Sequence, residues 1–243
     1  MNNNMIPLSL DDTFTFSCSK QVPCFNECCR DLNQALTPYD ILRLKKHMEL
    51  PSSSFLERYT SQHIGPESGL PIITLKTDHA RELMCPFVTA EGCSVYENRP
   101  SSCRMYPLIR GASRSRETGE VVEQYLLLKE PHCLGFHQNQ NQTVQDWIEN
   151  QGLTIYNQLN DMLMEIISLK NTLKPGPLDF KSGRLFYLAC YDLDTFRSHI
   201  FEKGILNDQK IDPGTLDLVK KDDVELLKLG LRWIKKVLFG QIE

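Results

Sequence analysis

The sequence predicts an α+β fold, mainly α: an irregular, cysteine-rich metal-binding module with few short strands, packed on helices. Three observations carry this. Eight of the nine cysteines fall between residues 18 and 133, in polar, proline-rich segments without helical or strand periodicity. From Thr143 onward, apolar residues recur at roughly helical spacing. Runs rich in β-branched residues are short and few. The expected organisation is a cysteine-cluster module over 1–140 and a helical segment over 141–243, packed together as one compact unit.

Taken in order, Lys20, Pro23 and Asn26 mark the first cysteine group, CSKQVPCFNECC, as a loop. Thr37 then reads as an N-cap, Pro38 as the first helical residue and Asp40 as the partner in a capping-box-like pattern. Ile41, Leu42, Leu44 and Met48 form the apolar stripe of that helix. Ser54 with Glu57 predicts a short helix over Phe55–His63. Gly65, Pro66, Gly69 and Pro71 make a turn region before a strand at Ile72–Leu75. Pro86, Gly92, Pro100 and Pro107 keep the second cysteine group irregular. Residues 111–120, GASRSRETGE, read as an exposed loop before a strand at Val121–Leu128.

Thr143 caps a long helical segment in which Gly152 is placed to introduce a bend. Pro175 and Pro177 end it. Further helices are predicted over Leu193–Lys203 and Val224–Phe239, the last with Val224, Leu227, Leu231, Ile234 and Leu238 on one face. These stripes read as core packing.

Size and charge narrow the function. A chain of 243 residues buries an ordinary core without staples, so the cysteines do not compensate for a tiny domain. Hydrophobic content of 41% and charged content of 24% match a soluble globular protein. The net charge of −4 argues against nucleic acid and anionic membrane as partners. The N-terminus has no basic stretch followed by an apolar one, so no signal peptide is expected. No apolar run approaches the ~18 residues of a membrane span. The expected setting is a reducing cytoplasm, where clustered cysteines mean metal or redox chemistry more often than structural disulfides.

The candidate ligands are Cys18, Cys24, Cys28, Cys29, Cys85, Cys93, Cys103 and Cys133. Thiolates are soft and select zinc, copper(I) or iron–sulfur clusters. Four close one tetrahedral zinc site or one [4Fe–4S] cluster; eight serve two sites, or one site with spare thiols. Only the Cys24–Cys28 interval falls in the zinc-knuckle range. Neighbouring residues in irregular backbone often point apart, which lets Cys28 and Cys29 feed different sites. The Cys85–Pro86 step also occurs at the end of ferredoxin ligand runs. The balance favours an iron–sulfur cluster, [4Fe–4S] above others, over zinc.

The stretches FSCSKQVPCFNECCR, MCPF and GCSVYENRPSSCRMYPL resemble the YkgJ-type cysteine-cluster family, a zinc- or iron-chelating domain with a CxxCxxCC motif. Cys93, Val95, Tyr96, Arg99, Pro100, Cys103, Arg104, Tyr106 and Pro107 carry the similarity, over about residues 16 to 133. The intervals before Cys28 are longer than in the family pattern. The resemblance implies metal or iron–sulfur binding more strongly than any reaction. Some relatives resemble flagellin lysine N-methylases, which leaves a lysine-methylase-related enzyme as an alternative. The chain has no glycine-rich loop for S-adenosylmethionine. It has no C-x3-C-x2-C run either, because Asp31 stands at the third position.

Other residues bear on the site. Arg30, Arg99, Arg104 and Arg110 flank the ligand segments, where they would offset a negative thiolate centre or bind an anionic substrate. Tyr96 and Tyr106 are placed to cover it and limit solvent. Arg114 and Arg116 read as a solvated loop. His132 and His137 flank Cys133, where one histidine would make a Cys3His set, although a plain surface or core role is commoner. Cys190, in LFYLAC, reads as a core cysteine. Asp192 and Asp194 read as helix-start residues rather than a catalytic pair. The expected partner is an unidentified protein or redox partner. The functional alternatives are an iron–sulfur protein with a redox, electron-transfer or modification role, and a zinc-stabilised binding module without catalysis.

Overall fold

The structure, a computed structural model, describes residues 5–114, 121–207, 209 and 211–240. It is 47% helical and 19% strand, an α+β fold that is mainly α with small antiparallel sheets. The chain opens with β1 (Met5–Leu8) and β2 (Thr13–Thr15), and a single helical turn follows at Glu27–Cys29. Next come β3 (Ala35–Leu36), α1 (Pro38–His47), α2 (Ser52–Tyr59), β4 (Thr60–Ile64) and β5 (Pro71–Leu75). The second cysteine group spans β6 (Val88–Thr89), β7 (Gly92–Cys93) and α3 (Ser101–Met105). Then follow β8 (Leu108–Arg114), β9 (Val121–Leu128), β10 (Asn141–Thr143), α4 (Val144–Asn150) and α5 (Thr154–Leu173). The chain closes with α6 (Phe180–Cys190), α7 (Leu193–Phe201), α8 (Pro213–Val219) and α9 (Asp223–Phe239).

Two compact units divide the chain, and neither is a continuous stretch. One comprises residues 1–34 and 76–158; the other comprises 35–75 and 159–243. The division thus does not fall at residue 140.

The first unit carries every cysteine of the cluster. In its three-stranded sheet β9 lies between β1 and β8. Tyr125 and Leu127 alternate inward from β9, as a half-buried strand requires. Strands β2 and β10 pair with Phe14 opposite Gln142. Thr143 ends β10 and caps α4: its hydroxyl accepts from the Asp146 N–H at 3.0 Å, and the Asp146 carboxylate accepts from the Thr143 N–H at 3.0 Å. Phe16 is the hub of an aromatic core, with ring centroids 5.9 Å from Tyr106, 5.2 Å from Phe136 and 5.6 Å from Trp147.

In the second unit the strand order is β3-β5-β4. The box at Thr37 and Asp40 forms as the sequence predicts. Phe55, Phe186, Cys190, Phe196, Leu227 and Ile234 are fully buried and form its core. Cys190 is therefore a core residue.

The structure corrects several expectations. The second helix starts at Ser52 and stops at Tyr59, and Thr60–Ile64 is a strand paired with β5. Its polar sequence hid it, because only Thr60 of β4 is buried. Gly111–Arg114 belongs to β8 rather than to a loop, with Arg114 opposite Val121. Arg116 and residues 115–120 lie outside the described residues. At Gly152, φ is +61° and the helix breaks rather than bends, giving α4 and α5. Asp192 occupies the N-cap of α7 without a side-chain capping bond. Instead the Ser52 hydroxyl donates to Asp192 at 2.7 Å, and Asp194 accepts from Lys45 at 2.9 Å and from the Ser52 N–H at 2.7 Å.

Candidate metal centre

Backbone pairing gathers the cysteines. The β2–β10 ladder continues as two bonds, Phe16 N–H to Gln140 O at 2.9 Å and Ser17 N–H to Gly135 O at 3.1 Å. Cys18 is thereby led alongside Cys133. A Cβ on Gly135 would stand 2.5 Å from the Phe16 ring and 2.9 Å from Ser17 O, so only glycine permits this approach. The Leu134 N–H donates to the Cys24 sulfur at 3.1 Å, which holds Cys24 in the same neighbourhood.

The second group is fixed to the first loop. The Cys85 N–H donates to Cys29 O at 2.8 Å, and the Asp31 N–H donates to Leu83 O at 3.0 Å. The Asn26 amide donates to Thr89 O at 3.0 Å, tying the loop to the β6–β7 hairpin. In that hairpin Cys93 faces Val88, and the Val88 N–H donates to Cys85 O at 3.2 Å. Gly92 turns the hairpin at φ +112°, with the Phe25 ring 3.0 Å from where a Cβ would lie. Cys103 sits on α3, against the expectation of a wholly irregular segment; the prolines before the helix and after it keep it to five residues. Its thiol donates to the Gln34 side-chain oxygen at 3.8 Å. Asn26, Asp31, Glu82 and Leu83 all have positive φ, so left-handed backbone is concentrated in the two segments that meet here.

All nine cysteines lie among the described residues, and none is joined in a disulfide. Cys28 is the electrostatic hub. Cys18, Cys29, Cys85, Cys93 and Cys133 are all close enough to feel its charge. A hydrogen bond from the Cys29 thiol lowers the Cys28 pKa to about 7, and the same bond raises that of Cys29. Burial, then the charges of Cys28, Cys24 and Cys133, push Cys18 up to about 11.

Burial also raises Cys85, Cys93 and Cys133. It is opposed at Cys85 and Cys93 by the Phe87 and Val95 N–H groups, and at Cys133 by the neighbouring Tyr106 hydroxyl and then the Gly135 N–H; each N–H lies two residues beyond its cysteine and faces the sulfur. Such N–H groups favour the thiolate, which is the ligand form. The donor set suits a soft metal. Among the described residues, no three histidine, cysteine, aspartate or glutamate side chains are already arranged to hold a metal ion. Ligands drawn from distant segments close on a metal as they bind it.

The flanking residues divide by role. Arg99 is only 8% exposed; it donates to Tyr96 O at 2.6 Å and to the Gln151 side chain, and lies 3.8 Å over the Tyr96 ring. Cys93 and Cys103 both lie within its electrostatic reach. Arg104, also 8% exposed, donates to the carbonyls of Arg99 at 3.2 Å, Gln151 at 2.7 Å and Glu97. Its nitrogens bind the chain itself, which is a structural role. Arg30 pairs with Glu82, and Arg110 pairs with Glu123.

Tyr96 is 55% exposed and supports Arg99. The Tyr106 hydroxyl is buried without a partner at hydrogen-bond geometry, yet lies close to Cys133 and Glu130. Burial and then those neighbours raise its pKa. His132 lies 3.6 Å from Glu130, and His137 is exposed on a separate turn. Sequence reasoning missed Gln34, Gln151 and Gly135. Only Gly135 left a signal, as a glycine two residues after a cysteine.

No helix among the described residues is long and apolar enough to cross a membrane. No curated protein and no solved structure matches the chain. Residues 17–141, which contain all eight clustered cysteines, match the CxxCxxCC family, described as "Putative zinc- or iron-chelating domain". On that match, across the segments that gather around Cys28, the chain belongs to the CxxCxxCC family of metal-chelating domains.

Proposed function

We propose that the chain carries an iron–sulfur cluster on its cysteine thiolates and works in electron transfer or a redox reaction with a protein partner. The observation that carries this is the gathering around Cys28 of thiols from separate segments. A thiolate-bound iron–sulfur cluster supplies one-electron chemistry when present. The protein's part is to hold the sulfurs, direct N–H groups at them, set Arg99 beside Cys93 and Cys103, and shield the Cys133 side with Tyr106. A reducing cytoplasm is the setting this reading takes, because thiols stay available for metal there.

A structural zinc module is the second reading. The Cys24–Cys28 interval and the N–H groups two residues beyond Cys85, Cys93 and Cys133 favour it.

Purification without oxygen, followed by assay of iron, acid-labile sulfide and zinc, separates the two. Iron and sulfide in equal amounts, with absorbance near ~400 nm bleached by dithionite, supports the first reading. Stoichiometric zinc in a colourless protein without sulfide replaces it with the second. A chain that holds neither metal sinks both.

A further inference from the structure

We infer that Gln34 is the positioning residue of Cys103: its amide holds the thiol in the metal-free chain and holds the thiolate once a metal is bound. The inference rests on the thiolate-centre reading above and adds one residue to the structure that serves it.

Helix α3 needs outside support to present Cys103. It has five residues, far fewer than the ~12–15 at which an isolated helix becomes even marginal. Its inner side is well held. The Arg104 guanidinium donates to the carbonyls of Arg99, Gln151 and Glu97, and the Trp147 indole N–H donates to Met105 O at 3.0 Å. Ser102 and Cys103 lie on the exposed side. There Gln34 grips both: its side-chain N–H donates to the Ser102 hydroxyl oxygen, and its side-chain oxygen accepts from the Cys103 thiol at 3.8 Å. Gln34 is in turn placed by the segment that follows Cys28 and Cys29. Arg30 pairs with Met84 in a β-bridge, and the Asp31 N–H donates to Leu83 O at 3.0 Å. One amide therefore joins the first cysteine loop to the helix that carries Cys103.

An amide suits both states of the sulfur. As a thiol, Cys103 donates and the Gln34 oxygen receives the bond. Bound to a metal, Cys103 has no proton to give, and an oxygen facing it would set two acceptors against each other. A half turn of the Gln34 amide about its last torsion, which is broad and roughly two-fold, exchanges its two ends. The N–H then faces the sulfur, and the oxygen accepts from the Ser102 hydroxyl, a group that serves as donor or acceptor. Both bonds survive the exchange, and the ligand sulfur gains an outer hydrogen bond of the kind that orients and strengthens metal ligands. Leucine at this position offers neither bond. An ionised glutamate only accepts, so it sets negative charge against the thiolate.

The test labels each cysteine of the reduced full-length chain with iodoacetamide under argon, with and without Cd2+, and locates the label by mass spectrometry. The ratio of the two rates is the protection that Cd2+ gives to each thiol. In the wild type Cd2+ is expected to protect Cys103 along with other clustered thiols. Gln34→Leu is expected to lower the protection of Cys103 by about 10-fold and to leave that of the other clustered thiols near wild type. Gln34→Glu is expected to lower it further. Buried Cys190 should stay unlabelled in every variant that folds. Ser102→Ala, which removes the group that orients the amide, gives the same selective loss in smaller measure and serves if Gln34→Leu folds poorly. Wild-type protection of Cys103 in these variants overturns the inference. So does an equal loss at all clustered thiols, which marks a merely structural role, or a wild type in which Cd2+ protects other thiols but not Cys103. A wild type in which Cd2+ protects no thiol fails the thiolate-centre reading itself, whereas the other outcomes leave that reading intact.

Discussion

Arg99 has the most unusual position of any charged residue near the thiols. A guanidinium keeps its charge in proteins, so its burial is costly unless nearby negative charge offsets it. No carboxylate forms an ion pair with Arg99 among the described residues, and Cys93, Cys103 and Glu97 lie within its electrostatic reach. Thiolates bound to a metal would add to the negative charge that offsets it. Arg99→Gln is expected to weaken metal retention by ~10-fold or more, read by chelator competition. In an iron–sulfur form it should also move the reduction potential to more negative values. Arg99→Lys keeps the charge and is expected to recover part of both. Equal losses in the two variants would reduce Arg99 to its stacking on Tyr96. The sequence showed this arginine beside a ligand segment but gave no sign of Gln151, because a glutamine that bonds across 52 residues of chain leaves no local pattern.

At the scale of elements, the β2–β10 pairing does for Cys18 and Cys133 what no local motif could. The contact at Gly135 depends on the absence of a side chain. Gly135→Ala is expected to push the Phe16 ring or the Ser17 carbonyl aside, at a cost of ~1–3 kcal/mol in stability. Because the displaced backbone also positions Cys18 and Cys133, metal retention should fall as well. A urea midpoint and a metal assay on the same preparation check this; an unchanged midpoint with unchanged metal refutes it.

Helix starts such as Thr37-Pro38-Tyr39-Asp40 and Thr143 were legible because a capping box is complete within four residues. Strand β4 was not, since an edge strand with one buried residue shows no alternation. Helix α3 was not either, being one short piece between prolines.

The charged network of the second unit belongs to the whole molecule, because it joins α1, α2, α7 and α9 within that unit. Lys45, itself 5% exposed, donates to Asp194 at 2.9 Å and lies 3.5 Å from Asp223; Arg197 bridges the same two carboxylates. Burial alone would raise Asp194, but the Ser52 N–H and the Lys45 ammonium outweigh it and hold the pKa below the usual carboxylate range. Burial likewise opposes, and Arg197 and Lys45 then overcome, the shift at Asp223.

Carboxylates with depressed folded-state pKa values stabilise the fold above their unfolded value of ~4. That contribution is withdrawn as pH falls through the lower folded values. Asp194→Asn is expected to cost ~2 kcal/mol at pH 7, measured by urea unfolding, with the difference from wild type shrinking below ~pH 4. A difference that stays constant down to that pH would rule out the charge as its source. Asp194 accepts from a residue 142 positions away, so the sequence offered only its place at a helix start.

The interleaving of the two units also sets an order of events as the chain leaves the ribosome. Cys18, Cys24, Cys28 and Cys29 emerge early, then residues 35–75 follow before any further ligand appears. Those residues belong to a unit whose remainder begins only at residue 159. Cys133, the last thiol of the cluster, emerges when only residues 35–75 of that unit have been made. Until residue 159 and its successors follow, the nascent chain therefore holds reactive sulfur and unburied core together. A chaperone or metal donor that acted during translation would meet the first four thiols well before the fold that encloses them is complete.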